Sequence, residues 1–224
     1  MKLALRTVAS GVFALAFFAV ALFWPAGTLR YWQAWVFIAV FLLCVMVPSL
    51  YLAAKDPAAL QRRLHGGPLA ETRLVQKFAM CAVIGSVLVV LVVSGLDRRF
   101  GWSSVPTAVV ILGNIVVAAG ILLAEAVVLQ NSFAGASIQV EAEQHVVSTG
   151  LYALVRHPMY FGAVVMMLGT PLALGSYWAL IVAIVSAPTF AVRIGDEEKM
   201  LRTELDGYDD YTRKVRYRLV PYVW

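Results

Sequence analysis

Four side chains able to bind a ligand or move a proton, Tyr152, Arg156, His157 and Tyr160, fall within nine residues of the stretch GLYALVRHPMYFG at 150–162. Pro158 follows the basic pair directly. Proline lacks an N–H and holds φ near the helical value, so it favours the first turn of a helix. The residues after it are apolar, which predicts a membrane helix opening at Pro158. Arg156 and His157 then stand at its mouth, beside backbone N–H groups without partners in the helix and at the positive end of its dipole. A carboxylate or another anionic group fits such a place. The plainer reading is a basic anchor at the lipid headgroups.

A second set begins at Arg193-Ile-Gly-Asp-Glu197-Glu198. Arg193 and Glu197 are four apart and share a helix face, where an ordinary ion pair is the plain reading. Two apolar runs, 158–174 and 177–193, lie between the two sets and are split by Gly175-Ser176. A tight helical hairpin returns the chain to the membrane face it left, which brings Arg193, Glu197 and Glu198 towards Arg156, His157 and Tyr160. Tyr208 and Tyr211 follow, then a basic stretch from Arg213 to Arg218. The plainer readings, interfacial anchoring for the tyrosines and contact with anionic lipid for the basic stretch, are the usual ones. Glu125 lies inside the end of an apolar run. An ionisable group there is a functional candidate by default, here as a wall of an acceptor pocket, with a snorkelling or Arg-paired carboxylate as the alternative. Asn114, deeper in the same run, reads as a helix-to-helix hydrogen-bonding residue.

The elements that must position these groups follow from composition. The chain is 61% hydrophobic and 14% charged, with mean hydropathy +0.80, against about 25% charged in soluble domains. Long apolar runs must satisfy their own backbone groups, so the fold class is an all-α integral membrane protein. About six transmembrane helices are expected, at 7–24, about 31–54, about 78–96, 106–130, 158–174 and 177–193, the last two forming the hairpin. Pro25 to Gly27 makes a turn, Pro48 a kink, and 194–224 a charged tail helical to about Lys214. Polar loops cover 55–77 and 97–105. In the segment 130–157, Ile138 and Val140 alternate with Gln139 and Glu141, and Val146 and Val147 follow, as in a small β-hairpin or extended flap. Of the 18 lysines and arginines, only Arg30, Arg98 and Arg99 fall in the loops of the opposite side. This bias places both termini, the 55–77 loop and all candidate chemistry in the cytoplasm. The basic residues cluster beside membrane spans, so the net charge of +5 indicates lipid and not nucleic acid. Cys44 and Cys81 lie in apolar runs and read as buried packing residues. The whole chain, 1–224, reads as one membrane domain, with N-terminal helices over 1–105 and a core over 106–224. Neither GxGxxG nor HExxH occurs, and nothing calls for a metal.

Taken in order, Gly-x-Tyr-x-x-x-Arg-His-Pro-x-Tyr-x-Gly at 150–162, Arg-x-x-x-Glu-Glu-x-x-Leu at 193–201, Tyr-x-x-Tyr at 208–211 and Val220-Pro221 resemble the isoprenylcysteine carboxyl methyltransferase family and its bacterial relatives. The match covers about residues 120–224, and the first hundred residues match only in being transmembrane. The resemblance implies an S-adenosylmethionine pocket on the cytoplasmic side, an acceptor entering from the bilayer, and residence in a bacterial inner membrane. It implies cofactor contacts at Gln139, Gln144, His145, Val146, Val147, Tyr152, His157, Pro158, Met159, Tyr160 and Glu197, and an acceptor contact at Arg193.

The chemistry agrees. Glu197 suits ribose hydroxyls or a cationic group, and the helix mouth suits the methionine carboxylate. A carboxylate acceptor needs orientation and partial dehydration and no base, and Arg193 suits it by a two-pronged hydrogen bond. An amine or phenol acceptor would need a base, for which His157 and Glu198 are the candidates. The expected function is therefore methyl transfer to a lipophilic acid, isoprenylcysteine-like or otherwise. The alternatives are a methyltransferase acting on an amine or phospholipid, an NADPH-dependent membrane reductase of the steroid-reductase type, and a non-enzymatic protein that kept the fold. Reductases of that type carry a similar Arg-His-Pro motif, but NADPH phosphates call for basic groups where this chain has Glu197-Glu198.

Overall fold

The computed structural model describes residues 2–135, 137 and 144–224. They form nine α-helices: α1 (Lys2–Ala26), α2 (Trp32–Lys55), α3 (Pro57–Leu64), α4 (Leu74–Phe100), α5 (Thr107–Gln130), α6 (Pro158–Ala173), α7 (Tyr177–Ser186), α8 (Pro188–Glu204) and α9 (Tyr208–Lys214). By length and composition, five spans can cross a membrane: Leu5–Ala26, Trp32–Lys55, Leu74–Phe100, Thr107–Gln130 and Tyr177–Glu204. The last joins α7 and α8, and α6 is apolar but shorter. Faces left open to lipid carry Phe13, Leu43, Phe78 and Val185, all exposed, as expected of a multi-pass membrane protein whose solvent is hydrocarbon.

Several boundaries differ from expectation, each for a local reason. Pro25 stays inside α1 and Pro48 inside α2, and the first turn is made by Gly27 in the left-handed region. Pro57, at the first position of α3, opens a short helix in the 55–77 loop, capped by Asp56 accepting from the Ala59 N–H. Helix α4 runs on through Asp97 to Phe100, where Gly101 with φ 67° stops it. The run 177–193 does not end at the tail: the break falls at Ala187, because Pro188 has no N–H to continue the ladder, and α8 carries straight into the charged residues. Among the described residues there is no strand; Val146 and Val147 are irregular, and 138–143 of the expected flap lie outside the described residues. Asn114 bonds the Val110 carbonyl of its own helix, and Cys81 is exposed on α4 where burial was expected.

Helices α5 and α6 make the tightest pair. A Cβ on Gly120 would lie 2.5 Å from the Met166 nitrogen, and one on Gly162 2.6 Å from the Gly120 oxygen. Only glycine allows two backbones this close, which is how membrane helices gain dispersion contact without a hydrophobic drive. The main core gathers Phe18, Leu22, Phe37, Leu91 and Val117 from four helices and Leu174 from the turn after α6. A second cluster, Val90, Met167, Ala179, Ala183 and Phe190, seats α7 and α8 on α4 and α6. These two clusters fix the mouth of α6 against α8, where the polar groups meet.

Candidate active site

The approach to α6 is held from both sides. Arg156 N–H donates to the Tyr217 carbonyl and His157 N–H to the Arg218 carbonyl, each at 2.9 Å. His157 caps α6, Pro158 takes its first position, and no side chain caps the free N–H groups behind it. Gln130, at the end of α5, grips the preceding turn: its amide donates to the Thr149 carbonyl at 2.7 Å and accepts from the Leu151 N–H at 3.1 Å. Asn131 then donates to Tyr152 Oη at 3.2 Å, and Tyr211 Oη donates to the Tyr152 carbonyl at 2.8 Å.

The tail folds over this mouth. Glu198 is buried and surrounded: Arg156 Nε lies 2.9 Å from Oε1, His157 Nε2 lies 3.3 Å from it, and Arg218 Nε donates to Oε2 at 2.9 Å. Its neighbour Glu197 is different. One residue on along a helix turns the side chain by about 100°, and Glu197 Oε2 points at the cavity, 4.0 Å from His157 Nδ1. That oxygen is buried without a hydrogen-bond partner among the described residues, and so is Tyr208 Oη. Burial pushes the Tyr152 phenol up to about 12, with Glu197 adding to the rise and the Asn131 hydrogen bond opposing it. Burial raises Tyr208 and Tyr211 further. All three are neutral phenols at ordinary pH.

Gln144, His145, Val146, Val147, Tyr152, His157, Pro158, Met159, Tyr160 and Glu197 all line one cavity. Gln139 lies outside the described residues. The cavity also takes in Asn131, Phe133, Met200, Leu201, Tyr208 and Tyr211, which the motifs did not single out as contacts. Tyr208 and Tyr211 had a signal in the Tyr-x-x-Tyr spacing and Leu201 closes the 193–201 motif; Met200 looks like any apolar helix face.

The other candidate residues stand apart from that lining. Arg193, 4% exposed, donates from Nη2 to Glu71 at 2.6 Å and from Nε to Tyr160 Oη at 2.9 Å. The ion pair is thus with the 65–73 connection, a partner no helical spacing could show. Glu71 went unnoticed as one of two acids in a basic loop. Glu198, held by Arg156, His157 and Arg218, is not part of that lining among the described residues. Glu125 forms an ion pair with Arg63 of α3 and does not border the cavity among the described residues. The pair ties α3 to α5.

Residues 108–205 match the family model described as phospholipid methyltransferase. Over 71 residues the chain is 39% identical to a protein-S-isoprenylcysteine O-methyltransferase of Schizosaccharomyces pombe, a match covering 31% of this chain and 30% of that protein. The chain therefore spans less than a third of that relative's length in the match. The whole chain superposes on 88% of the eukaryotic intramembrane Ras methyltransferase, an isoprenylcysteine carboxyl methyltransferase, with a TM-score of 0.50 and 18% identity. At that identity the likeness speaks for the fold. The resemblance read from Gly150 to Tyr211 is borne out: the chain has the membrane fold of the isoprenylcysteine carboxyl methyltransferases and, over residues 108–205, the pattern of the phospholipid methyltransferase family.

Proposed function

We propose that this protein is an S-adenosylmethionine-dependent methyltransferase that esterifies the carboxylate of a lipophilic acceptor drawn from the bilayer. The observation that carries the reading is the pair of buried polar atoms without partners, Glu197 Oε2 and Tyr208 Oη, on the wall of a cavity at an uncapped helix mouth. Buried polar groups are nearly always paired in native proteins, so an orphaned pair facing a cavity fits a ligand that completes it. S-adenosylmethionine has matching parts: a ribose diol and an ammonium for Glu197, a phenol contact at Tyr208, and a carboxylate for the N–H groups of Met159 and Tyr160. When bound, it supplies a methyl group activated by a sulfonium.

The chain's own residues do the rest. Glu198, Arg156, His157 and Arg218 lock α8 onto the mouth and keep water from the cavity wall. Arg193 stands behind Tyr160, placed to hold an acceptor carboxylate. A carboxylate attacks without losing a proton, which suits a site whose histidine is bonded to Glu198. An amine would need a base, and this counts against the phospholipid or amine reading despite the description of the matched family. Helix α6 has 16 residues and is about 24 Å long against a hydrocarbon thickness of about 30 Å. Its mouth therefore opens below the headgroups, within reach of a lipid-borne acceptor. The charge bias of the loops supports a cytoplasmic site and cytoplasmic termini. Calorimetry on detergent-purified protein tests the reading: S-adenosylmethionine should bind and NADPH should not. Tight NADPH binding with no response to S-adenosylmethionine would replace it with the reductase reading.

A further inference from the structure

The connection between α3 and α4 reaches into the acceptor side of the site. The Glu71 side chain has no exposed surface, and its Oε1 meets Arg193 Nη2 at 2.6 Å. Two residues on, Arg73 Nη2 donates to Asp196 Oδ1 at 2.7 Å. Gln76, in the first turn of α4, donates to Asp196 Oδ2 at 2.7 Å and to the Arg193 carbonyl at 3.1 Å. The arrangement is reciprocal: the acid of the connection takes the base of α8, and the base of the connection takes the acid one turn further along α8. Arg193 also donates to Tyr160, whose ring lines the cavity. One guanidinium thus joins a carboxylate from the N-terminal half to the wall of the methyl-donor site.

We propose that Glu71 is a specificity-determining residue that fills the acceptor-carboxylate position on Arg193 in the resting protein, and that an acidic acceptor enters by exchanging its carboxylate for that of Glu71. This rests on the reading of Arg193 as the acceptor contact. The reason is charge. A buried guanidinium stripped of its counter-ion is strongly disfavoured, and two carboxylates crowded on one cation repel each other. Exchange of one anion for another avoids both states. A neutral ester or amide cannot replace the lost ion pair, so it gains nothing by displacing Glu71. The same logic acts on the product. Methylation removes the acceptor's negative charge as the donor loses its positive one, and the neutral ester then yields Arg193 back to Glu71. The internal carboxylate therefore selects acids on entry and expels esters on exit.

The test uses the full chain in lipid nanodiscs without methyl donor, with N-acetyl-S-farnesylcysteine as the acid probe and its methyl ester as the neutral one. Glu71→Gln removes the charge but keeps an oxygen for Arg193. It should bind the acid about ten-fold more tightly than the parent, because the competing anion is gone, while ester binding stays the same. Weaker acid binding, or equal changes for acid and ester, would overturn the proposal. A second measurement leaves Glu71 in place. Leu69 is 99% exposed and two residues away; a spin label on Leu69→Cys, with Cys44 and Cys81 replaced by alanine, should gain mobility when the acid binds and not when the ester does. A label that ignores bound acid would sink the exchange. Because neither experiment contains donor, failure of the methyl-transfer reading shows separately, as loss of S-adenosylmethionine binding by the parent protein.

Discussion

The two ends of the helix bundle each bury carboxylate oxygens among hydrogen-bonding groups, and they treat them in opposite ways. At the end away from the cavity, Asp97 accepts from the Ser103 N–H at 2.7 Å, from Ser103 Oγ at 2.6 Å and from Ser176 Oγ at 2.5 Å. Ser176 Oγ accepts from the Ala179 N–H, and Tyr31 Oη donates to the Leu174 carbonyl at 2.6 Å. Each of these hydrogen bonds joins loop ends or helix ends to one another. At the cavity end Glu198 is equally saturated, yet Glu197 and Tyr208 keep buried oxygens without partners among the described residues. A saturated cluster holds helices together; one with orphaned atoms around a cavity is built to receive something. The physical chemistry of the two ends is the same, and only the satisfaction of the last few oxygens separates scaffold from site.

The contrast can be broken or sharpened by substitution. The largest effect is expected where α5 and α6 run between the two ends. Gly120→Leu forces side chain into the Gly162 backbone and should disable both ends at once, read as loss of monodisperse protein on size exclusion. Glu197→Ala should weaken S-adenosylmethionine binding about a hundred-fold, the scale of lost charge-assisted hydrogen bonds, while the melting temperature holds or rises. A fall in melting temperature without a change in affinity would make Glu197 scaffold. Asp97→Ala is the mirror experiment: stability should drop by about 3 kcal/mol because buried Ser176 and half-buried Ser103 lose their acceptor, with cofactor affinity unchanged. Tyr208→Phe should cost about five-fold in cofactor affinity and nothing in stability, since the hydroxyl it removes has no partner among the described residues.

The smallest effect comes from alkaline pH. The Tyr152 phenol is raised to about 12 by burial first and by Glu197 second, so the folded state favours its neutral form. Its contribution to stability is complete below about pH 10 and fades as pH rises from there through about 12. Tail docking, followed by proteolysis of α9, should loosen over that window in the parent and less steeply in Tyr152→Phe. Loosening that begins below pH 9 would point to another group.

Much of the site end was legible because its signals are local. Pro158 starts α6 where a proline can, and Arg156 and His157 sit at its mouth. Gly175, with φ 72°, turns the chain back, and so Glu197 and Glu198 come to His157. Glu71 was not legible, because nothing in a basic loop says which distant guanidinium a single acid will meet. Arg193 shows the complementary limit: an i,i+4 spacing puts it on one face with Glu197, and cannot show that Glu71 from another element meets its guanidinium. Asp97 and Ser176, 79 residues apart, left no trace either. The glycines at 113, 120, 162 and 169 were visible, but their meaning depends on two helices lying face to face.

The sequence by itself determined the all-helical membrane class, the order of the spans and the two patches of chemistry at either end of the last hairpin. Hydrophobic length, proline and glycine placement act over a few residues and need no partner to be read. Only the tertiary structure decided which carboxylates are spent on holding the fold and which is left facing the cavity. The difference between Glu197 and Glu198 is one step around a helix, and it becomes chemistry only when Arg156, His157 and Arg218 take up Glu198 and leave Glu197 on the lining of the cavity.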